Sequence, residues 1–186
     1  MCGIAGIIHL DGAARPQLRA HLQLMNRLQA HRGPDGEGVW VHPRGHVGLG
    51  HRRLSIIDLD QGGQPMLDEG HSALSYNGEV YNYLELRQQL GEERFRTRSD
   101  TEVILQAYRR WGTGCLRQLR GMFSFALWDE QQQQLFCARD RFGIKPFYWA
   151  VVDRVLYLAS EAKALLPFLP AVEVDGHPHP VLEDLH

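Results

Sequence analysis

The sequence predicts an α+β fold built on antiparallel sheets. Segments with strand character occur in clusters, a few amphipathic helices lie between the clusters, and the strict β-α-β alternation of a doubly wound parallel sheet is absent. The chain has 186 residues, of which 44% are hydrophobic and 23% are charged. This size and composition are typical of one globular domain that buries a substantial core.

The first half of the chain begins with a strand and a helix. Residues 3–8 are small and β-branched, carry no charge and precede the turn signal Asp11-Gly12, which predicts a short buried strand. Beyond Pro16, an amphipathic helix reaching about His31 is predicted by apolar residues at helical spacing, namely Leu18, Leu22, Met25 and Leu28. A loop over residues 33–36 then separates these elements from strands predicted over residues 38–41, 46–52 and 73–76.

The second half contains two marked helix starts and a further group of strands. Asn82 with Glu85, and Ser99 with Glu102, have the spacing of capping boxes. Strands are predicted over residues 123–128, 135–138, 147–152 and 155–159, with Asp153-Arg154 as a tight turn and a short helix from Glu161. The prolines near the end predict a fold that stops close to Ala171, so we expect a domain over residues 2–170 and a polar tail over residues 171–186.

Charge and cysteine content argue against several function classes. The net charge is −2 and the basic residues are scattered, which does not resemble a nucleic-acid binder. No signal-peptide pattern and no run of about 18 apolar residues occurs, so we expect a cytoplasmic protein that does not bind a membrane. The three cysteines lack CxxC spacing, and His177 and His179 have no further ligand cluster, so we expect neither a disulfide framework nor a metal site.

Cys2 is the most informative residue in the search for a catalytic group. Initiator methionine is usually removed before a small residue, which would leave a cysteine carrying both a thiol and a free α-amine. Thiols and α-amines titrate within about two units of neutrality, so one residue could supply nucleophile and base. The alternative is a small buried residue that happens to be second in the chain.

Other residues have the chemistry that acyl transfer from an amino-acid amide requires. Asn77 and Gly78 could donate hydrogen bonds to a tetrahedral oxyanion, although Asn-Gly is also a common hairpin turn. Arg53 and Asp100 could hold the carboxylate and the ammonium of an amino acid. Alternatively, Arg53 is a surface charge on a strand and Asp100 a carboxylate that favours a helix dipole.

The remaining histidines and cysteines receive no catalytic role. His31 and His51 could in principle form a Cys-His dyad, but each is followed by arginine, and their spacing does not indicate an approach to Cys2. Cys115 and Cys137 are interpreted as ordinary buried or half-buried thiols.

Eight strings in the same order resemble the glutaminase domain of the asparagine synthetase family, a branch of the class II glutamine amidotransferases. They cover about residues 2–166 and are CGIAG at 2–6, HRGPDGEG at 31–38, HRRLSIIDL at 51–59, YNGEVYNYLELR at 76–87, RSDTEVIL at 98–105, GMFSFALWD at 121–129, RDRFGIKPFYW at 139–149 and SEAKAL at 160–165. Among the branches of that class, the HRRLSI and YNGE strings favour the asparagine synthetases.

The resemblance implies a fold and a role for each candidate residue. The fold would be the four-layer αββα arrangement of N-terminal-nucleophile hydrolases, with two stacked antiparallel sheets between helices. Cys2 would be the nucleophile with its own α-amine as base, and Asn77 with Gly78 would form the oxyanion hole. The polar end of the substrate glutamine would be held by Arg53, Glu79 and Asp100.

The sequence departs from full asparagine synthetases at its end. No Ser-Gly-Gly-type pyrophosphate loop follows residue 166, so ATP and Mg²⁺ are expected only on a synthetase domain or partner chain that receives the ammonia. We expect a truncation, a split subunit or a decayed copy, and these alternatives stay open. A related amidotransferase with another acceptor, a simple amidase and a dormant binding scaffold are the competing functions; the retained Cys2, Arg53, Asn77, Gly78 and Asp100 argue against the scaffold.

Overall fold

A computed structural model describes residues 1–54, 63–70 and 72–170 of the chain. Its strands are β1 (Gly3–His9), β2 (Gly36–Val41), β3 (Val47–Arg53), β4 (Met66–Leu67), β5 (Ala73–Val80), β6 (Gly121–Asp129), β7 (Gln134–Arg139), β8 (Tyr148–Val152) and β9 (Val155–Ala159). They form a five-stranded sheet in the order β2-β3-β1-β9-β8 and a four-stranded sheet in the order β4-β5-β6-β7. Each pair of neighbouring strands within these sheets is antiparallel.

Helices cover the outer face of each sheet. Helix α1 (Leu18–Leu28) packs on β1, β2 and β3 of the five-stranded sheet. Helices α2 (Tyr83–Leu90) and α3 (Asp100–Trp111) pack on each other, and α3 packs on β5 of the four-stranded sheet. Because β1 and β3 also contact β5, the two sheets are stacked face to face. The predicted α+β fold with four αββα layers is therefore confirmed.

The two faces of β5 show how strand alternation separates the layers. Leu74, Tyr76 and Val80 belong to the apolar core beneath α2 and α3. Ala73 belongs instead to the core between the sheets, where it joins Val47 of β3. Along the same inner face, apolar residues give way to Ser75 and Asn77, so the space between the sheets is apolar at one end and polar at the other.

Most predicted strands are present, but β5 is longer than predicted. The strand predicted over residues 73–76 continues to Val80, because β5 pairs with β6 along its whole length up to Val80 opposite Gly121. Asn77-Gly78 consequently lies inside a strand, and the alternative of a hairpin turn there is wrong. Asp153 and Arg154 do form the predicted tight turn, with φ values of 48° and 61° in the left-handed region.

Several element ends differ from the sequence expectation. Helix α1 stops at Leu28 and a separate 3-10 turn, Ala30–Arg32, follows, so the single helix to His31 is wrong. The helix expected from Glu161 is a pair of 3-10 turns, Ala162–Ala164 and Leu166–Phe168. Strand β4 was not predicted, since its two residues are too few to show alternation. The expected boundary near Ala171, the tail with His177 and His179, and the end of the 51–59 string lie outside the described residues.

The two predicted helix starts occur where expected, with different capping contacts. The Ser99 hydroxyl accepts a hydrogen bond from the Thr101 N–H at 3.0 Å, which caps α3. Glu102 does not complete a capping box, because its carboxylate accepts from the backbone N–H groups of Arg96 and Thr97 in the preceding loop. Asn82 precedes α2 but uses its side chain to bind the backbone of Gln118 and Arg120.

A buried glutamine ties the first strand to its surroundings. Gln29 is fully buried after α1; its Nε2 donates to the Ile4 carbonyl at 3.2 Å and its Oε1 accepts from the Ser160 N–H at 3.1 Å. These bonds reinforce a backbone hydrogen bond at the same place, which the Ser160 N–H donates to the Ile4 carbonyl at 3.0 Å. Each intramolecular hydrogen bond of this kind contributes roughly 0.5–1.5 kcal/mol to stability.

We predict that Gln29→Leu lowers the free energy of unfolding by about 2 kcal/mol, because it removes these bonds while keeping a side chain of similar size. Urea unfolding followed by circular dichroism measures the difference. The matched control is Gln23→Leu on the exposed face of α1, which should change stability by less than about 0.5 kcal/mol. Equal losses in both variants would contradict the buried role of Gln29.

Candidate active site

The six sequence-predicted site residues lie on the wall of one cavity of about 380 Å³. They are Cys2, Arg53, Asn77, Gly78, Glu79 and Asp100. The cavity lies where the start of β1 and the end of β3 meet β5 and the start of α3. Residues far apart in the sequence therefore converge, and the volume falls in the range of small-molecule sites, roughly 300–1,000 Å³.

Cys2 lies directly before β1, beside the end of β3. Its half-buried Sγ is 3.4 Å from the Leu54 nitrogen, whose N–H donates to it, and 3.6 Å from the Leu54 carbonyl oxygen. Pairing of Gly3 with Arg52 brings the two segments together. Gly33 allows a loop to lie against the same strand end, because a Cβ at Gly33 would be 2.4 Å from the Arg52 carbonyl carbon.

Arg32 holds the backbone of Cys2 and was missed by sequence reasoning. The Arg32 Nε donates to the Cys2 carbonyl oxygen at 2.9 Å, and its Nη1 contacts Glu161 Oε1 at 2.7 Å. The hydrogen bond from Arg32 holds the pKa of Glu161 below its ordinary value. This buried guanidinium therefore links Cys2 to the segment after β9. Both partners lie far from Arg32 in the sequence, so no local pattern indicates these contacts.

Asn77 carries a buried polar group that has no partner among the described residues. Its side chain is buried, with 1% of the residue exposed, and within the described residues its Nδ2 has no hydrogen-bond acceptor. An unpaired buried donor costs about 1–3 kcal/mol, so it is expected where a ligand supplies the acceptor. Because Asn77 lines the cavity, a developing oxyanion is a suitable acceptor.

Gly78 has a structural requirement besides its predicted site role. A Cβ at this position would be 2.3 Å from the Met122 carbonyl oxygen and 2.7 Å from the Phe123 Cα. Glycine therefore permits close pairing of β5 with β6, independently of any hydrogen bond to a substrate.

The charged candidates lie around the same cavity. Arg53 ends β3 and Glu79 is near the end of β5, and both are half-buried. Asp100, the first residue of α3, is buried; its Oδ2 accepts from the Tyr76 hydroxyl at 2.7 Å and from the Val80 N–H at 3.0 Å. Burial raises the pKa of Asp100, and these two hydrogen bonds partly oppose that rise. Among the candidates, one cationic and two acidic residues thus border a space of amino-acid size.

His31, His51 and the other two cysteines are absent from the described cavity wall. The Nδ1 of His51 is 3.2 Å from the Ser75 hydroxyl between the sheets, and burial lowers the pKa of His51 to about 3. His31 is half exposed and lies 3.4 Å from Glu161. Burial raises the pKa of Cys115 to about 11 and that of Cys137 to about 12, which suits inert thiols.

Two further features are absent from the residues that the structure describes. No group of three or more His, Cys, Asp or Glu side chains in that part of the chain could hold a metal ion. Across the same residues, none of the helices combines the length and apolar character needed to cross a membrane.

Sequence comparison assigns residues 1–181 to a family model described as a glutamine amidotransferase domain. The chain is 42% identical to asparagine synthetase [glutamine-hydrolyzing] 1 of Bacillus subtilis over 179 residues, which is 94% of this chain and 28% of that protein. It is 44% identical to amidase chry2 of Gibberella zeae over 179 residues, which is 90% of this chain and 27% of that protein. The chain thus spans about a quarter of the length of these relatives.

Solved structures share the fold. The chain superposes on the glutamine phosphoribosylpyrophosphate amidotransferase of B. subtilis with a TM-score of 0.72 and 22% identity, covering 88% of this chain and 43% of that one. At this level of identity the likeness speaks for the fold alone.

We predict that Glu161→Gln lowers stability by about 1 kcal/mol at neutral pH, because it weakens the bond that anchors Arg32. The folded-state pKa of Glu161 is depressed, so this contribution is present above the unfolded pKa of about 4.3 and is lost as pH falls through the folded pKa. Urea unfolding at several pH values between about 7 and 3 measures the difference. In the control Glu93→Gln, which alters an exposed carboxylate, no comparable difference is expected; a pH-independent loss in Glu161→Gln would contradict the ion pair.

Proposed function

The chain belongs to the glutamine amidotransferase domain family, class II, and we propose that it hydrolyses L-glutamine to glutamate and ammonia with Cys2 as the nucleophile. The single observation that carries the proposal is the convergence of Cys2 with Arg53, Asn77, Gly78, Glu79 and Asp100 around one cavity. These residue types supply a nucleophile, oxyanion donors and opposite charges for an amino acid.

In the proposed reaction, removal of Met1 frees the α-amine of Cys2. That amine takes the thiol proton, and Sγ attacks the carboxamide carbon of glutamine. Asn77 Nδ2 donates to the tetrahedral oxyanion, which accounts for its lack of an acceptor among the described residues. The protonated α-amine then gives its proton to the leaving nitrogen, so that ammonia departs and a γ-glutamyl thioester remains. Water, deprotonated by the same amine, attacks the thioester and releases glutamate and the thiol.

The charged residues are proposed to select a free amino acid. The Arg53 guanidinium suits the α-carboxylate, and the Asp100 carboxylate suits the α-ammonium. Glu79 adds a second carboxylate on the same wall and would help to hold the polar end of the substrate. This arrangement favours free glutamine over glutamine inside a peptide, which lacks both terminal charges.

The acceptor of the ammonia is proposed from the relatives. Several of them are named glutamine-hydrolysing asparagine synthetases, so we place this domain as the ammonia-supplying half of such an enzyme, working with a synthetase domain or partner chain that uses ATP and Mg²⁺. The similarity to a protein named as an amidase supports a second candidate, a related enzyme with another acceptor. A cytoplasmic location fits the free thiols of Cys2, Cys115 and Cys137.

The decisive experiment measures glutamate release from L-glutamine by the purified protein. We expect turnover that Cys2→Ala abolishes, because no other described thiol lines the cavity. Intact mass spectrometry must show that Met1 has been removed, since the mechanism needs the α-amine of Cys2. Cys137→Ala serves as the matched thiol control and should retain activity. Turnover that survives in the Cys2→Ala protein would refute the nucleophile assignment.

We further predict that Asn77→Ala lowers kcat for glutamine hydrolysis by roughly 10²–10³-fold with a smaller effect on KM, because the amide acts mainly on the transition state. Steady-state kinetics separates the two parameters. The control is Ser124→Ala, which alters the buried residue paired with Asn77 across β5 and β6 but absent from the cavity wall. A similar loss of kcat in both variants would point to distortion of the sheet instead.

A further inference from the structure

One carboxylate oxygen of Asp100, Oδ2, accepts two hydrogen bonds from described residues of β5. The Tyr76 hydroxyl and the Val80 N–H both donate to Oδ2, at 2.7 Å and 3.0 Å. Both hydrogen bonds that other described residues donate to Asp100 therefore end on the same oxygen. Two donors on one oxygen determine the rotation of the carboxylate and therefore the direction in which Oδ1 points.

We infer that Tyr76 is a positioning residue for the substrate's α-ammonium: its hydroxyl fixes the Asp100 carboxylate so that Oδ1 receives that ammonium. This inference rests on the proposed function, because it assigns the ammonium of glutamine to the same cavity. Sequence reasoning named Asp100 but gave no role to Tyr76, which lies one residue before Asn77 and on the opposite face of β5.

Gln64 extends this arrangement into a frame. Its Oε1 accepts from the Tyr76 N–H at 2.7 Å, and its Nε2 donates to the Thr101 hydroxyl at 3.3 Å. Tyr76 and Thr101 are thereby joined on the two elements that carry Asn77 and Asp100. All five residues line the cavity, so the frame connects the proposed oxyanion donor with the proposed ammonium site.

Neighbouring groups affect the pKa of Asp100 as well as its orientation. Glu79 on β5 is a second acidic group near Asp100, and burial already raises the pKa of Asp100. The Tyr76 hydroxyl opposes that rise by donating to the ionised form. Without this donor, Asp100 would become protonated at a higher pH and would lose the charge that attracts an ammonium.

The test compares Tyr76→Phe with the unaltered enzyme in glutamine hydrolysis. We expect KM for L-glutamine to rise roughly ten-fold while kcat changes by less than about two-fold, since one hydrogen bond to a charged group is lost at the binding end of the substrate. The acid limb of the kcat/KM profile should move to higher pH. In an Asp100→Asn background, the additional effect of Tyr76→Phe should disappear. An unchanged KM and acid limb in Tyr76→Phe would overturn the inference.

The chain supplies a matched control in Tyr108, whose hydroxyl donates to Asp129 Oδ2 at 2.9 Å within the same core but away from the cavity. Tyr108→Phe should lose comparable stability in urea unfolding while keeping KM and the acid limb. Equal changes in KM and in the acid limb in both variants would mean that altered core packing causes the change, and not the loss of a hydrogen bond to Asp100.

Calorimetric binding of L-glutamine to the Cys2→Ala protein separates this inference from the proposed function. Weaker binding after Tyr76→Phe supports the positioning role even if the native protein shows no turnover, in which case hydrolysis alone fails. Glutamine binding that Tyr76→Phe leaves unchanged refutes the positioning role alone. A complete lack of glutamine binding refutes both.

Discussion

The central position of β1 in the five-stranded sheet is the constraint on which the rest of the structure depends. Gly3–His9 pairs with β3 on one side and with β9 on the other, and all its residues are buried. Its alternating faces contribute to the core beneath α1 and to the core between the sheets. Since the strand begins at Gly3, this pairing also determines where Cys2 lies, beside the end of β3 and facing the second sheet.

Hydrogen bonds to backbone groups maintain the ends of this arrangement. Gln29 binds Ile4 and Ser160, and Arg32 binds the carbonyl of Cys2, so buried polar side chains complete the bonding where the sheet ladder stops. The inner space between the sheets becomes polar towards Asn77, which retains an unpaired amide in the described structure. A binding site at this point is consistent with the cost of burying such a group, because a ligand can supply the missing acceptor.

Much of the secondary structure could be predicted because each strand and helix carries a local pattern. The strands of the second half, the Asp153-Arg154 turn and the start of α3 all follow from alternation, turn chemistry and capping. The prediction failed where tertiary pairing overrode a local signal: Asn77-Gly78 is a strong turn sequence, yet pairing with β6 keeps it extended. Arg32, Gln64 and Tyr76 had no local signal, since their partners lie far away in the chain.

The sequence by itself determined the α+β class and, through a set of ordered motifs, the family and six candidate residues, because periodicity and motif spacing are properties of the chain. Only the tertiary structure decided that these residues share one cavity, and that Tyr76 and Val80 of β5 both donate to one oxygen of Asp100. The physical reason is that pairing of β1 with β3 and stacking of the two sheets bring together segments separated by many residues. Distances of this kind arise from packing and strand register, which a linear pattern does not contain.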